Sequence, residues 1–150
     1  MTLALEPRAA ARLLGVQIHI WEVEEAPRLE AAFKDMVSAR IEAVDVLPDP
    51  MFIGERRRIV DLAAARRLPT MFHLRGFADA GGLMSYGASY VEMLRNNAAL
   101  VDKILKGRNP ADLPIEQPTK FEFVIILKTA KALGLTIPQS LLLRADELIQ

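Results

Sequence analysis

Three short clusters hold most of the side chains able to do chemistry. Pro48-Asp49-Pro50-Met51-Phe52 sets a carboxylate beside an aromatic ring. Arg75-Gly76-Phe77 runs into Asp79-Ala80-Gly81-Gly82, and Tyr86-Gly87-Ala88-Ser89 offers a phenol and a hydroxyl. Each cluster has two readings. Asp49 before Pro50 fits a helix N-cap with proline at the first helical position, or a polar ligand contact. Phe52 is a first-turn core residue or a stacking surface for a flat ligand. Arg75 can take a ligand carboxylate through two parallel N–H bonds, or pair with Asp79 on the surface. Tyr86 is a half-buried strand end or a hydroxyl donor to a ligand. Gly81, Gly82 and Gly87 read as turn glycines and form no G-x-G-x-x-G phosphate loop.

The residues give catalysis little to work with. The two histidines, His19 and His73, have no second ligand or base close in sequence. Ser85 lies in M-S-Y-G, not in a G-x-S-x-G nucleophile elbow. Absence of cysteine excludes thiolate chemistry, disulfides and Cys-based metal sites. No His/Asp/Glu spacing resembles a metal motif, and no cofactor is implied. Lys plus Arg balances Asp plus Glu at 19 each, so a nucleic-acid footprint is absent overall. The clusters Arg56-Arg57-Arg58 and Arg66-Arg67 read as a solvated helix face, with Arg57 four residues from Asp61.

The elements that must position these loops alternate between helix and strand signals, the pattern of an α/β domain with a largely parallel sheet. Half the residues are hydrophobic and a quarter charged, a globular composition. Glu6–Leu14 reads as a helix stopped by Gly15. Val16–Val23 alternates apolar and polar and reads as a strand. Pro27 opens a helix with Leu29, Ala32, Phe33, Met36 and Val37 as its buried stripe. Strands are expected at 43–47, 69–74, 83–86 and 121–127. Helices are expected from Asp49 to about Arg67, over 90–106 behind a Ser89/Glu92 capping box, and over 128–133 and 138–149. Pro110, Pro114 and Pro118 make 108–119 a stiff crossing between bodies. In such open sheets ligands bind beyond the carboxyl ends of the strands, which is where the three clusters fall.

Three blocks carry a family resemblance in order and spacing: AVDVLPDPMF at 43–52, RLPTMFHLRGFADAGGLMSYG at 67–87, and VDKILKGRNPADLPIEQPTKFEFVIILKTAKALGLTIP at 101–138. Over Ala10–Gln150 the chain resembles ABC-transporter substrate-binding proteins of the type I periplasmic-binding-protein fold. That resemblance implies two Rossmann-like lobes joined by hinge strands, a small molecule held between them, and a role in solute uptake with an ABC permease. The family includes binders of aromatic amino acids. Family members are about twice as long, so the resemblance covers their C-terminal half. Residues 1–67 and 119–150 then correspond to the C-terminal lobe. Residues 68–118 correspond to a return into the other lobe, with 108–118 as the crossing.

On this mapping the expected ligand contacts are Pro48, Asp49, Phe52, Arg75 and Tyr86. A strand central to the second lobe, between 16–23 and 43–47, has no counterpart in the 150 residues. The expectation is therefore a homodimer that covers its open sheet edges, with 68–115 exchanged between protomers. The resemblance places the protein in the periplasm or outside the cytoplasm. The segment MTLALEPRAAARLLG lacks the pattern of an export signal, which implies a cytoplasmic protein if Met1 is its start. Two other classes stand beside the solute binder: an interaction or oligomerisation module that kept the fold, and a small α/β enzyme using Arg75, Asp49 or His73.

Overall fold

The apolar stripe at i, i+3, i+4 and i+7 decides where the core forms. In the computed structural model, which describes residues 5–115 and 117–150, Leu29, Ala32, Phe33 and Met36 of helix α2 (Leu29–Ser38) are all buried. They pack with Ile59, Val60 and Ala63 of α4 (Arg56–Ala65), and with Leu68, Phe72 and Phe77. Val37, expected in the same stripe, is instead 47% exposed, while its neighbour Met36 is buried. Phe72, which has no exposed surface, stacks on Phe77 with ring centroids 4.5 Å apart. Offset-stacked rings of this kind add to the burial of their area.

This cluster packs against a five-stranded sheet. Its strands are β1 (Val44–Val46), β2 (Thr70–Phe72), β3 (Met84–Ala88), β4 (Phe121–Ile126) and β5 (Glu147–Ile149), in spatial order β1-β2-β3-β4-β5. All neighbours run parallel except β3 and β4. This is the mainly parallel α/β sheet expected of a periplasmic-binding-protein domain. Ala78, Val124, Ile126 and Ile149 form a second, smaller apolar cluster. Helix α1 (Leu5–Leu14) stops at Gly15 as expected, with φ of 68° in the left-handed region that glycine tolerates.

Several expectations fail locally. Residues 16–23 form no strand. Val16 N–H returns to the carbonyl of Ala11, and residues 17–24 make no backbone–backbone hydrogen bond among the described residues. Alternation selects a face, but a strand also needs a ladder partner. The helix expected from Asp49 to Arg67 is two helices, α3 (Pro50–Gly54) and α4, broken at Glu55. Residues 75–79, read as loop, form the short helix α5 (Arg75–Asp79).

The helix expected over 138–149 is a single turn, α8 (Gln139–Leu142), followed by β5. Asp146 enforces that switch. Its carboxylate accepts from Phe123 N–H at 2.8 Å, and its own N–H donates to the Phe123 carbonyl at 2.8 Å, which docks the chain on β4. The remaining helices are α6 (Tyr90–Leu105) and α7 (Leu127–Leu133). Ser89 takes the N-cap position of α6 but its side chain makes no capping bond, and Glu92 pairs with Arg95 instead.

The segment 68–118 contributes β2 and β3 to the same sheet as β1 and β4. What stands off the sheet is α6 and the crossing after it. No side chain of α6 is buried.

Candidate functional site

The sheet register gathers the three clusters at one end. Val44, Asp45 and Val46 pair with Thr70, Met71 and Phe72, and Met71 and Phe72 pair with Met84 and Ser85. The segments that follow β1 and β2 therefore emerge side by side: Leu47-Pro48-Asp49 and His73-Leu74-Arg75. The second half of β3, Tyr86-Gly87-Ala88, lies beside them. The approach of β3 to β2 is very close there. A Cβ built on Gly87 would sit 2.0 Å from the His73 carbonyl oxygen, so only glycine fits.

Asp49 caps α3. Its carboxylate accepts from Met51 N–H at 2.8 Å, with Pro50 at the first helical position. Pro48 is exposed beside it. Phe52 is half-buried against the α2–α4 core. Arg75 is engaged with two carboxylates. Its Nη1 and Nη2 donate to the two carboxylate oxygens of Glu147, the latter at 3.0 Å, and its Nε lies 3.4 Å from Asp79. Hydrogen bonding to Glu147 raises the Arg75 pKa, and the same bond holds the Glu147 carboxyl below its usual range.

Tyr86 is 50% exposed and belongs to an aromatic group. Its ring lies 5.8 Å from Phe121, nearly parallel, and 6.1 Å from Phe123, edge on. Phe121 is 49% exposed, so two stacked rings face solvent together. Antiparallel pairing of β3 and β4 places them on adjacent strands, with Tyr86 opposite Phe123 and Ala88 opposite Phe121.

His73 Nε2 is 3.1 Å from Asp45 Oδ1, and both side chains are substantially exposed. Ser85 is buried in the sheet. Sequence reasoning missed Glu147, Asp45 and Phe121 at this end of the fold. Their only signal is long-range: 72 residues separate Arg75 from Glu147 and 28 separate His73 from Asp45. On the outer face of α4, Arg58 rather than Arg57 makes the ion pair, with Glu55 at 3.6 Å. Among the described residues no group of three or more His, Asp or Glu side chains could hold a metal ion.

A second concavity lies at the open edge of the sheet. It is a groove of about 330 Å³ between residues 17–23 and residues 43–47, floored by α2 and bordered by Phe52 and Ile59. No helix among the described residues is long and apolar enough to cross a membrane.

An open α/β sheet with polar and aromatic groups collected at its carboxyl end is the architecture of small-molecule binding domains. The chain belongs to the ABC transporter substrate-binding protein family, whose sequence profile matches residues 4–149. It is similar to the ABC domain of Streptococcus pneumonia solved in complex with L-Trp. The two are 25% identical with a TM-score of 0.89, over 99% of this chain and 50% of that one. A conserved domain protein from Vibrio cholerae is 20% identical with a TM-score of 0.88, over 98% of this chain and 49% of that one. A ligand-free, open substrate-binding protein with adhesive properties from Clostridium difficile is 17% identical with a TM-score of 0.65, over 96% and 48%. The chain thus spans about half the length of the solved structures it matches. Comparison with curated proteins gave no match.

Proposed function

We propose that the chain supplies one wall of a solute site and that the solute is a small organic molecule of the amino-acid class. The role is capture without chemistry, as a component of an ABC importer working outside the cytoplasm with a permease as partner. The observation that carries this is the convergence of the 47–49, 73–75 and 86–88 segments at the carboxyl end of a substrate-binding-family sheet. The similar protein solved with L-Trp supports an aromatic amino acid. Tyr86 and Phe121 offer a flat apolar face on which such a side chain stacks. Arg75 offers the guanidinium for its carboxylate, and a ligand takes that role by displacing Glu147. Pro48, Asp49 and Phe52 shape the opposite rim.

A thermal-shift series with the individual amino acids tests this. A ligand present at about 100 times its Kd stabilises the protein by about 2.7 kcal/mol. We expect at least one aromatic amino acid to raise the melting temperature, and Tyr86→Ser to abolish the rise. No shift with any amino acid at about 10 mM, a concentration above even weak binding constants, refutes the reading.

A homodimer is favoured by one observation. Helix α6 buries no residue and leaves Tyr90, Val91, Leu94, Val101 and Leu105 more than half exposed. Such an apolar stripe is a ready contact for a second copy. Sedimentation that shows only monomer at micromolar concentration, and no change with Leu94→Glu, rejects it.

A further inference from the structure

We infer, on the reading that a solute carboxylate takes the Arg75 fork, that Glu147 is the residue that recognises the solute's ammonium group. Glu147 then makes the site selective for the zwitterionic α-amino acid over a plain carboxylic acid of the same shape.

The register of the sheet sets the charges around the fork. Ala78 of α5 packs with Val124 of β4, so Val124 faces α5. Glu122 lies two residues earlier on β4 and therefore projects to the same side. Glu147 pairs in register with Val124 across β4 and β5, which puts it on that side as well. Arg75 and Asp79 stand at the two ends of α5. Arg75 is thus one cation among three carboxylates. Glu147 holds both terminal nitrogens, Asp79 lies 3.4 Å from Nε, and Glu122 acts through space. Among the described residues no other cation pairs with Glu147.

That balance of charge decides which ligand the fork accepts. A plain carboxylate that displaces Glu147 adds a fourth negative group around one arginine, and it leaves Glu147 with no cation beside it. An α-amino acid brings its own cation, on the carbon next to its carboxylate. As its carboxylate takes the two terminal nitrogens of Arg75, its ammonium lies beside the displaced Glu147 and pairs with it. One ion pair becomes two, and the net charge of the group does not change. Asp79 keeps its place at the Nε edge throughout, so Glu147 is the carboxylate that is set free where the ligand enters. Opening the fork costs little. Arg75 and Glu147 are both partly exposed, and ion pairs in such surroundings contribute little net stability.

The probes are L-tryptophan and L-phenylalanine, each titrated against its des-amino analogue, indole-3-propionate or 3-phenylpropionate, at neutral pH. The parent protein should prefer the amino acid by about tenfold or more, the worth of one charge-assisted hydrogen bond. Glu147→Gln keeps the shape of the side chain and removes its charge. It should bring the two members of a pair within about threefold of each other. It does so by weakening the amino acid and strengthening the des-amino acid, with the circular dichroism spectrum unchanged. A residue that only clamps α5 to β5 would shift both ligands in the same direction, and that result overturns the assignment. A parent protein that binds both members of a pair equally also overturns it. So does a preference that collapses in Asp79→Asn and survives in Glu147→Gln. In each of these three cases amino-acid capture itself still stands. No response to either pair at about 10 mM overturns the assignment. If the wider thermal-shift series is silent too, the solute reading falls with it.

Discussion

Replacing Gly87 by alanine tests the geometry on which the candidate site depends. The φ of Gly87 is not in the left-handed region, so alanine meets no backbone strain there. The obstacle is space. The new Cβ would lie 2.0 Å from the His73 carbonyl oxygen and 2.9 Å from its carbon, where real contacts essentially never fall below 3.0 Å. The ends of β2 and β3 must therefore separate by about 1 Å. The neighbour is backbone, with no rotamer to swing away, which places the cost at the upper end of the overpacking range, about 3 kcal/mol. With a urea slope of about 2 kcal/mol/M, the midpoint falls by about 1.5 M. In a thermal melt the same loss lowers Tm by about 6–12 °C for a chain of this size. Gly54→Ala is the matched control: a Cβ there meets nothing within 4 Å, and the residue ends helix α3. It should stabilise by about 0.5–1 kcal/mol. A Gly87→Ala midpoint within about 0.3 M of the parent, less than the error of most extrapolations, would refute the argument that β2 and β3 touch here.

Three further outcomes follow from the packing and the ion pairs. Phe72→Ala removes a ring with no exposed surface from the core and should cost about 3–5 kcal/mol in urea unfolding. Asp49→Ala loses the acceptor for Met51 N–H and should cost about 1 kcal/mol, with Asp49→Asn retaining most of it. The hydrogen bond from Arg75 holds the Glu147 carboxyl below the usual carboxylate range. Its stabilising effect is therefore full above that range and is lost as pH falls through the lowered folded-state pKa. Accordingly, the difference in urea midpoint between the parent and Glu147→Gln should be largest near neutral pH and vanish in acid. A difference that grows on acidification would contradict the pairing.

Much of the fold was legible because its signals are local. The α2 stripe, Gly15, the Asp49-Pro50 cap and the apolar runs of β2 and β4 each depend on residues within a turn or two of one another. The failures share a cause: each depends on a partner distant in sequence. Residues 16–23 have the alternation of a strand and no ladder beside them. Residues 147–149 have helix-compatible leucines nearby and become a strand because β4 offers an edge and Asp146 docks to Phe123. The Ser89 hydroxyl makes no capping bond, and Ser89 N–H donates to Lys120 at the point where the chain re-enters the sheet. At the candidate site the loops were identifiable from the rule about strand ends. Asp79, four residues on, was legible as a partner of Arg75, whereas Glu147 and Phe121 were not, because they reach Arg75 and Tyr86 only through the register of β4 and β5.

That junction between β3 and β4 has a further consequence. The antiparallel ladder runs from Met84 opposite Ile125 to Ala88 opposite Phe121, and Ser89 N–H closes it on the Lys120 carbonyl at 2.9 Å. Everything between, α6 and the proline-bearing crossing, is an excursion whose two ends are already clamped together. Loop closure depends only logarithmically on length, and doubling the excursion would cost the sheet about 0.6 kcal/mol. The junction is therefore a splice point. What is carried between residues 89 and 120 can lengthen, shorten or be exchanged for a different body with little thermodynamic effect on the sheet that bears it.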